Sequence, residues 1–460
     1  MSCPNKQDRT AMLRIVVLMS LLAAGTADAQ PAEPGKPCVA EAVPGEFIVK
    51  LRDADPSTYA AFSLRLQTLG LEQLRPLTLI DAVVVRALPG TRLHSVPPGI
   101  MKFEAESLRE KLQPDIEYIQ PNYLWCAAGT PGDPLFSQQW ALKRIGAPKA
   151  WDSVTGSRDV IVGVIDSGID IRHPDLMANL WTNPRELPNF IDDDGNGIID
   201  DLHGIRVENG SIIPDPTDTT GHGTHVAGII GAVGDNDIGV AGVNWRVTLM
   251  ALRFLNSNNQ GNTADAIDCL KYGIENGVRI FNLSWGGGSY DRALEQALRT
   301  VGERGILVVA AAGFGAQDID ANPYFPASYD LENILVVMAS DRSDERYTPS
   351  NMGCRTVDVA APGVDILSTF SCKPYEAASG TSAATPHVTG AAALLLALRP
   401  DWSATELKRY LLNSADRIPE LAGTSATGGR LNVEKAVEWT VNNRDPGSLE
   451  TAACKDHIPP

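Results

Sequence analysis

Positive charge is scarce in this sequence. Its 39 lysines and arginines stand against 56 aspartates and glutamates, a formal net charge of −17. No basic patch is visible that could neutralise a phosphate backbone, which excludes nucleic acid as a partner. Cysteine is also scarce, seven in 460 residues, and no two form a CxxC pair, so the usual sequence sign of a zinc or dithiol redox site is missing. Beyond the N-terminal region no apolar run approaches the ~20 residues that a membrane span needs, and there is no internal repeat or low-complexity block. What remains is an acidic chain with 43% apolar and 21% charged residues, as in a globular protein, and with length for two or three domains around a large core.

The N-terminus reads as a secretory signal peptide over residues 1–29. Lys6, Arg9 and Arg14 give the positive flank, Met12 to Ala24 the apolar run, and Ala27-Asp28-Ala29 a small-x-small cleavage site. The competing reading, a stable membrane anchor, is disfavoured because the run is too short. Residues 30–45, rich in Pro, Ala and Gly, read as a linker. In residues 46–126 strand patterns at Glu46 to Leu51, Leu79 to Arg86 and Ile116 to Ile119 alternate with helical ones at Ser57 to Thr68 and Met101 to Leu112. That succession suits a small α+β, split-βαβ (ferredoxin-like) domain. Its first and last strands should pair antiparallel, which would bring Cys38 and Cys126 to the same end as a candidate disulfide. Residues 127–135 read as an exposed, cuttable connector.

From residue 136 to 441 the pattern changes. Apolar runs at Val160 to Ile165, Val247 to Leu252, Ile280 to Ser284, Ile306 to Ala312 and Ile334 to Met338 alternate with helical stretches. Those stretches are Thr224 to Ala232, Asn262 to Asn276, Asp291 to Glu303, Ser382 to Leu398 and Ala404 to Ser414. Continuous apolar strands between helices predict α/β, a three-layer doubly wound parallel sheet. Residues 442–460 read as a polar tail. Six cysteines remain after the signal peptide, an even count that allows disulfides without fixing their pairing, and Cys269, in a helical stretch, could equally be a buried free thiol.

Three distant segments carry chemistry: Asp166-Ser167-Gly168, Gly221-His222-Gly223-Thr224-His225 and Gly380-Thr381-Ser382, followed by Pro386. A hydroxyl at neutral pH is a poor nucleophile; it needs an imidazole to take its proton and a carboxylate to orient that imidazole. Asp166 closes an apolar strand, and in open α/β sheets ligands gather at the carboxyl ends of strands. His222 opens a helix between two glycines. Ser382 opens another, where N–H groups converge, with Pro386 expected in the first turn, where its missing N–H is tolerated. Each has a plainer reading alone: a capping carboxylate, a core histidine, a Ser N-cap. A zinc site of His222 and His225 is a further rival, weakened because no carboxylate or cysteine completes it.

Together the segments resemble the subtilisin-like serine proteases, the subtilases, in residue type, order and spacing, over roughly Asp133 to Val441. The resemblance implies Ser382 as nucleophile, His222 as general base and acid, and Asp166 as orienting carboxylate of a serine endopeptidase acting on polypeptide substrates. It implies that Asn282 to Gly287, containing Ser284, Trp285 and Gly286, forms an edge strand whose backbone pairs with substrate. Ala311 and Gly313 would help wall the pocket for the side chain before the cut. Residues 46–126, ending near Gln120-Pro121-Asn122-Tyr123, resemble an inhibitory propeptide, an intramolecular partner that is cut off. An exported, monomeric, self-processed precursor is the expectation.

One position departs from the family. Where an asparagine usually donates to the oxyanion, this chain has Phe314, which cannot; the alternative to an active protease is therefore a catalytically impaired, subtilase-shaped binding protein. Two loops suggest calcium. Asp192, Asp194 and Asn196, with Asp200, follow the D-x-D-x-N-G opening of a calcium loop. Asp133, Asp175 and Asn236, with the carbonyls of Ile238 and Val240, match positions that hold structural calcium in many subtilases.

Overall fold

A computed structural model describes residues 42–52, 56–91, 93, 101–123 and 130–448. The expected signal peptide, Cys38, Cys126, Cys454 and residues 449–460 of the expected tail lie outside them. The described residues fall into two compact units, one up to Tyr123 and one from Thr130.

The smaller unit runs β1 (Ala42–Leu51), α1 (Pro56–Thr68), β2 (Leu71–Leu77), β3 (Ala82–Ala87), α2 (Met101–Leu112), β4 (Ile116–Tyr123). Its sheet has the order β2-β3-β1-β4 with every neighbour antiparallel. The first and last strands pair, Val49 opposite Ile119. Period-two burial of Phe47, Val49 and Leu51 meets the helical spacing of Met101, Ala105, Leu108 and Leu112 in one core. Two details differ from expectation. Strand β3 begins at Ala82, because Leu79 and Ile80 lie exposed in the turn before it. Strand β2 was not anticipated: it is an edge strand whose residues are mostly exposed, and its leucines, Leu71, Leu74 and Leu77, recur every third position instead of alternating.

The larger unit begins with two short helices, α3 (Trp140–Arg144) and α4 (Ala147–Ala150). There follow β5 (Gly156–Asp166), β6 (Gly204–Glu208), β7 (Ser211–Ile213), α5 (His222–Gly231), β8 (Arg246–Arg253), α6 (Thr263–Glu275), β9 (Ile280–Leu283), α7 (Arg292–Glu303), β10 (Leu307–Ala311) and β11 (Ile334–Ser340). The chain closes with β12 (Val359–Pro362), β13 (Ile366–Thr369), β14 (Tyr375–Ala378), α8 (Thr381–Leu398), α9 (Ala404–Ser414), β15 (Asp416–Arg417), β16 (Gly429–Arg430) and α10 (Val433–Val441). The main sheet runs β15-β16-β12-β11-β10-β9-β5-β8-β6-β7, parallel from β6 to β16, with antiparallel β7 and β15 at its edges. Strands β13 and β14 form a separate antiparallel pair.

Three layers result. Successive residues of β10 face opposite cores: Leu307 and Val309 pack under α5, α8, α9 and α10, and Val308 and Ala310 pack under α6 and α7. Helix α8 is, among the described residues, the one helix long and apolar enough to cross a membrane, yet 83% of it is buried inside the unit. Cys269 is buried in α6 as a free thiol. Pro386 is not in the first turn of α8, as expected. It is the helix's sixth residue, because α8 starts at Thr381. Between β5 and α6 the Phe281 ring occupies space that two glycines leave. A Cβ on Gly163 would lie 2.7 Å from the ring, and one on Gly273 2.6 Å.

Phe281→Ala should therefore leave a cavity that the glycines cannot fill and cost ~3–5 kcal/mol. The check is a lower urea midpoint at unchanged m-value.

Candidate active site

The parallel strands bring their carboxyl ends to one rim, and β5 delivers Asp166 there, fully buried. Helix α5 starts at His222 against it. The close approach depends on Gly223, where a Cβ would lie 2.2 Å from the Gly168 carbonyl oxygen and 3.1 Å from Asp166 Cβ. The turn before α5 is organised by buried Asp218, which the motif search passed over. Its carboxylate accepts the Gly221 N–H at 3.0 Å, the Thr224 N–H at 3.0 Å and the Ser167 hydroxyl at 3.0 Å. An acidic residue just before a helix start is a capping signal, and it could have been read as one.

His222 Nδ1 lies 2.7 Å from Asp166 Oδ1, which also accepts the Ser167 N–H at 2.7 Å. The other oxygen, Oδ2, is buried without a hydrogen bond. The imidazole is 31% exposed. Burial pulls its pKa down, but the Asp166 charge and hydrogen bond outweigh that, and the net direction is above the ordinary histidine value. His225 differs: burial pushes its pKa down to about 4, and its Nε2 is held by the Ile366 carbonyl at 2.8 Å. Among the described residues neither histidine belongs to a cluster of three potential metal ligands, which a zinc site needs.

Ser382 is the second residue of α8, after Gly380 at φ +156°. Pro386 has no N–H to give the Ser382 carbonyl, and the Ser284 hydroxyl supplies that bond at 3.1 Å. Asn282 Nδ2 in turn donates to Ser284 Oγ at 2.8 Å, and the Thr389 hydroxyl to Asn282 Oδ1 at 2.7 Å. The start of α8 is thus tied to the end of β9. Among the described residues the Ser382 N–H and hydroxyl make no hydrogen bond within the protein. His222 and Ser382 line one cleft of about 420 Å³ with Ser284, Trp285, Gly286, Ala311, Gly313 and Phe314. Phe314 stands 76% exposed there.

The Ser284–Gly286 segment is not an edge strand, as expected. It continues β9, which lies between β5 and β10 inside the sheet. It leaves the sheet at Leu283, and the backbone of Ser284, Trp285 and Gly286 makes no backbone hydrogen bond among the described residues. A free strand-like backbone beside a serine and a histidine can take an extended peptide by β-augmentation.

The subtilase family description matches residues 157–444. A thermophilic serine proteinase of Bacillus sp. (strain AK1) is 36% identical over 71% of this chain and 74% of its own length. Thermitase of Thermoactinomyces vulgaris is 34% identical over 67% of this chain and 100% of its own length. A solved protease of Pseudoalteromonas arctica superposes with a TM-score of 0.58 at 29% identity, covering 68% of this chain and 99% of that one. The chain belongs to the subtilase family. It is a serine endopeptidase with the three-layer α/β subtilisin fold.

In this subtilase both suspected cation loops are ordered, with differences. Asp175 is fully buried; its oxygens accept Asn236 Nδ2 at 2.9 Å and the Val240 N–H at 2.9 Å. Asp133 accepts the Asp235 N–H at 2.7 Å and the Asn236 N–H at 3.2 Å. The Asn236 side-chain oxygen accepts the Ile238 N–H at 2.7 Å. Burial, with Asp133's charge adding to it, raises the Asp175 carboxyl to about 6. Two buried, mutually repelling carboxylates beside an amide and free carbonyls fit a hard cation. In the other loop Glu186, Asp192 and Asp194 place one oxygen each within 4.8 Å of one another. Glu186 lies before the D-x-D-x-N-G spacing and so carried no motif signal. Asp200 does not join them: it accepts the N–H groups of Asn189 and Phe190 at 3.1 Å each. The Asn196 oxygen accepts the Ile198 N–H at 2.7 Å.

A raised His222 pKa has a definite sign. The base is neutral only above that value, so the acid limb of kcat/KM should fall above ~6.5. The same group stabilises the fold while charged, an increment lost as pH rises through the folded value. Asp166→Asn should shift the limb to lower pH and cut kcat by ~10⁴, as the equivalent change does in a chymotrypsin-type enzyme. A pH–rate profile of both proteins checks this.

Proposed function

We propose that Ser382, His222 and Asp166 are the catalytic triad of this endopeptidase, and that the chain is made as an exported, self-processed precursor. The supporting observation is the 2.7 Å His222–Asp166 contact in a cleft that Ser382 also lines. Ser382 Oγ attacks the scissile carbonyl carbon while His222 Nε2 takes its proton. The tetrahedral intermediate collapses, the C–N bond breaks, and the amine leaves with the proton from His222. Water, deprotonated by His222, then hydrolyses the acyl-serine ester and returns the proton to Ser382. Asp166 holds the imidazole in the productive tautomer throughout.

The developing oxyanion falls to the unpartnered Ser382 N–H at the start of α8, where the helix dipole assists. Phe314 brings no second donor, and loss of one such donor lowers turnover by about 10²–10³ in a subtilisin. This is also what favours the second reading, a binding protein that no longer cleaves. The small α+β unit acts as the inhibitory propeptide, and the enzyme works as a monomer. Export is supported by the signal-like N-terminus. Calcium, when bound by Asp133, Asp175, Asn236 and the Ile238 and Val240 carbonyls, neutralises buried carboxylates and ties the N-terminal segment of the large unit to the loop after α5.

A fluorophosphonate should label the full-length protein at Ser382 and fail on Ser382→Ala, which should also stop release of residues 46–126. Absence of labelling and of processing in the unmodified protein would favour the binding protein. Phe314→Asn should raise kcat, by up to about 10²–10³ if the missing donor limits the rate. Calcium at 100 times its Kd should add ~2.7 kcal/mol of stability, read as a rise in Tm that Asp175→Asn removes.

A further inference from the structure

The structure assigns a specificity role to Tyr324: we propose that its ring fills the pocket for the side chain preceding the cut, so that this enzyme cleaves after small residues. The inference rests on Ser382 being the nucleophile. An extended peptide paired along Ser284–Gly286 would point that side chain between this segment and Ala311–Gly313, since neighbouring side chains of a strand alternate in direction.

That space is already taken. A Cβ built on Gly286 would lie 2.4 Å from Tyr324 Cε1, and one on Gly313 would lie 2.5 Å from Cε1 and 2.6 Å from Cζ. The outer edge of the ring is therefore in contact with the backbone of both walls, and only glycine on each side makes room for it. The hydroxyl makes no hydrogen bond within the protein among the described residues. The ring still borders the cleft that holds His222 and Ser382.

The backbone that carries the ring is anchored. Gly287 and Phe325 exchange backbone hydrogen bonds of 2.7 and 2.6 Å, which fix the residue after Tyr324 to the substrate-side segment. The Tyr324 N–H donates to Ser328 Oγ at 2.9 Å, and its carbonyl accepts the Ser328 N–H at 2.8 Å. Phe325 is packed against Tyr329 at 4.7 Å and Tyr290 at 5.5 Å between ring centroids. Admitting a phenylalanine or leucine side chain would require the Tyr324 ring to leave the space between Gly286 and Gly313, whereas glycine, alanine or serine fits above the ring.

The test uses peptide p-nitroanilides that differ only in the residue before the cleaved bond, assayed on the full-length protein after maturation. Alanine should exceed phenylalanine in kcat/KM by about 100-fold or more, since each misfitted methylene alone is worth ~10–200-fold. Tyr324→Gly should narrow that ratio at least tenfold, mainly by raising the phenylalanine substrate. A melting curve shows whether the variant is folded; if it is not, the wild-type ranking decides by itself. Phenylalanine cleaved as well as alanine by the wild type overturns the proposal. Product peptides ending in Ala or Phe, binding to Ser382→Ala, read the pocket without turnover. A protein that binds alanine-ended peptides more tightly but cleaves nothing keeps the role of Tyr324 and refutes the catalytic assignment. One that cleaves but ranks phenylalanine first does the reverse.

Discussion

A carboxylate has been placed where water cannot reach it, at the end of a strand whose preceding residues are apolar. Asp166 has no solvent exposure, and one of its oxygens has no hydrogen-bond partner. A lone buried charge is costly, and it is tolerated when a partner of opposite charge is held against it. In this protein the compensation comes from the Ser167 N–H and from the imidazole of His222, which gains most when protonated. That is also the moment in an acyl-transfer reaction when an imidazole must accept a proton. The strand therefore supplies a standing electrostatic preference for the charged base, at the sheet rim where a substrate can arrive.

Much of the surrounding structure holds that pair and Ser382 at one rim of the sheet. Gly223 lets α5 approach β5, and Asp218 fixes the turn that starts α5. On the other side a proline inside α8 frees the Ser382 carbonyl, and the chain Thr389, Asn282, Ser284 captures it. A helix defect is thereby converted into an attachment between the backbone of Ser382 and the segment that continues β9. The arrangement joins catalysis to substrate alignment through a few short polar contacts buried between apolar layers.

How much of this could be read beforehand follows from what each residue experiences. The five central strands, β5, β8, β9, β10 and β11, are covered on both faces and appear in the sequence as near-continuous apolar runs, interrupted at Thr248 and Asn282. Strand β2 and the short outer strands have one exposed face or edge, and their composition is that of loops. Asp166, His222 and Ser382 were legible because each lies among small residues that a close-approaching backbone demands. The helix after Ser382 was legible too, but it starts one residue earlier, at Thr381, and Pro386 falls in its second turn instead of its first. Asn282 to Gly287 was read as an edge from the family resemblance alone; the sheet order shows that Ser284–Gly286 extends a central strand. Glu186 and Tyr324 lay beyond reach, since their roles come from chain folding around Asp192–Asp194 in one case and around two glycines in the other. Neither has a local pattern.

The most direct measurement is an NMR titration of the His222 ring nitrogens in the intact protein and in Asp166→Asn. The account predicts a midpoint above the ordinary histidine range of ~6.5 in the intact protein, falling when the carboxylate is replaced. A midpoint at or below that range, unmoved by Asp166→Asn, would contradict it: the buried carboxylate would then not be what sets the charge on the base.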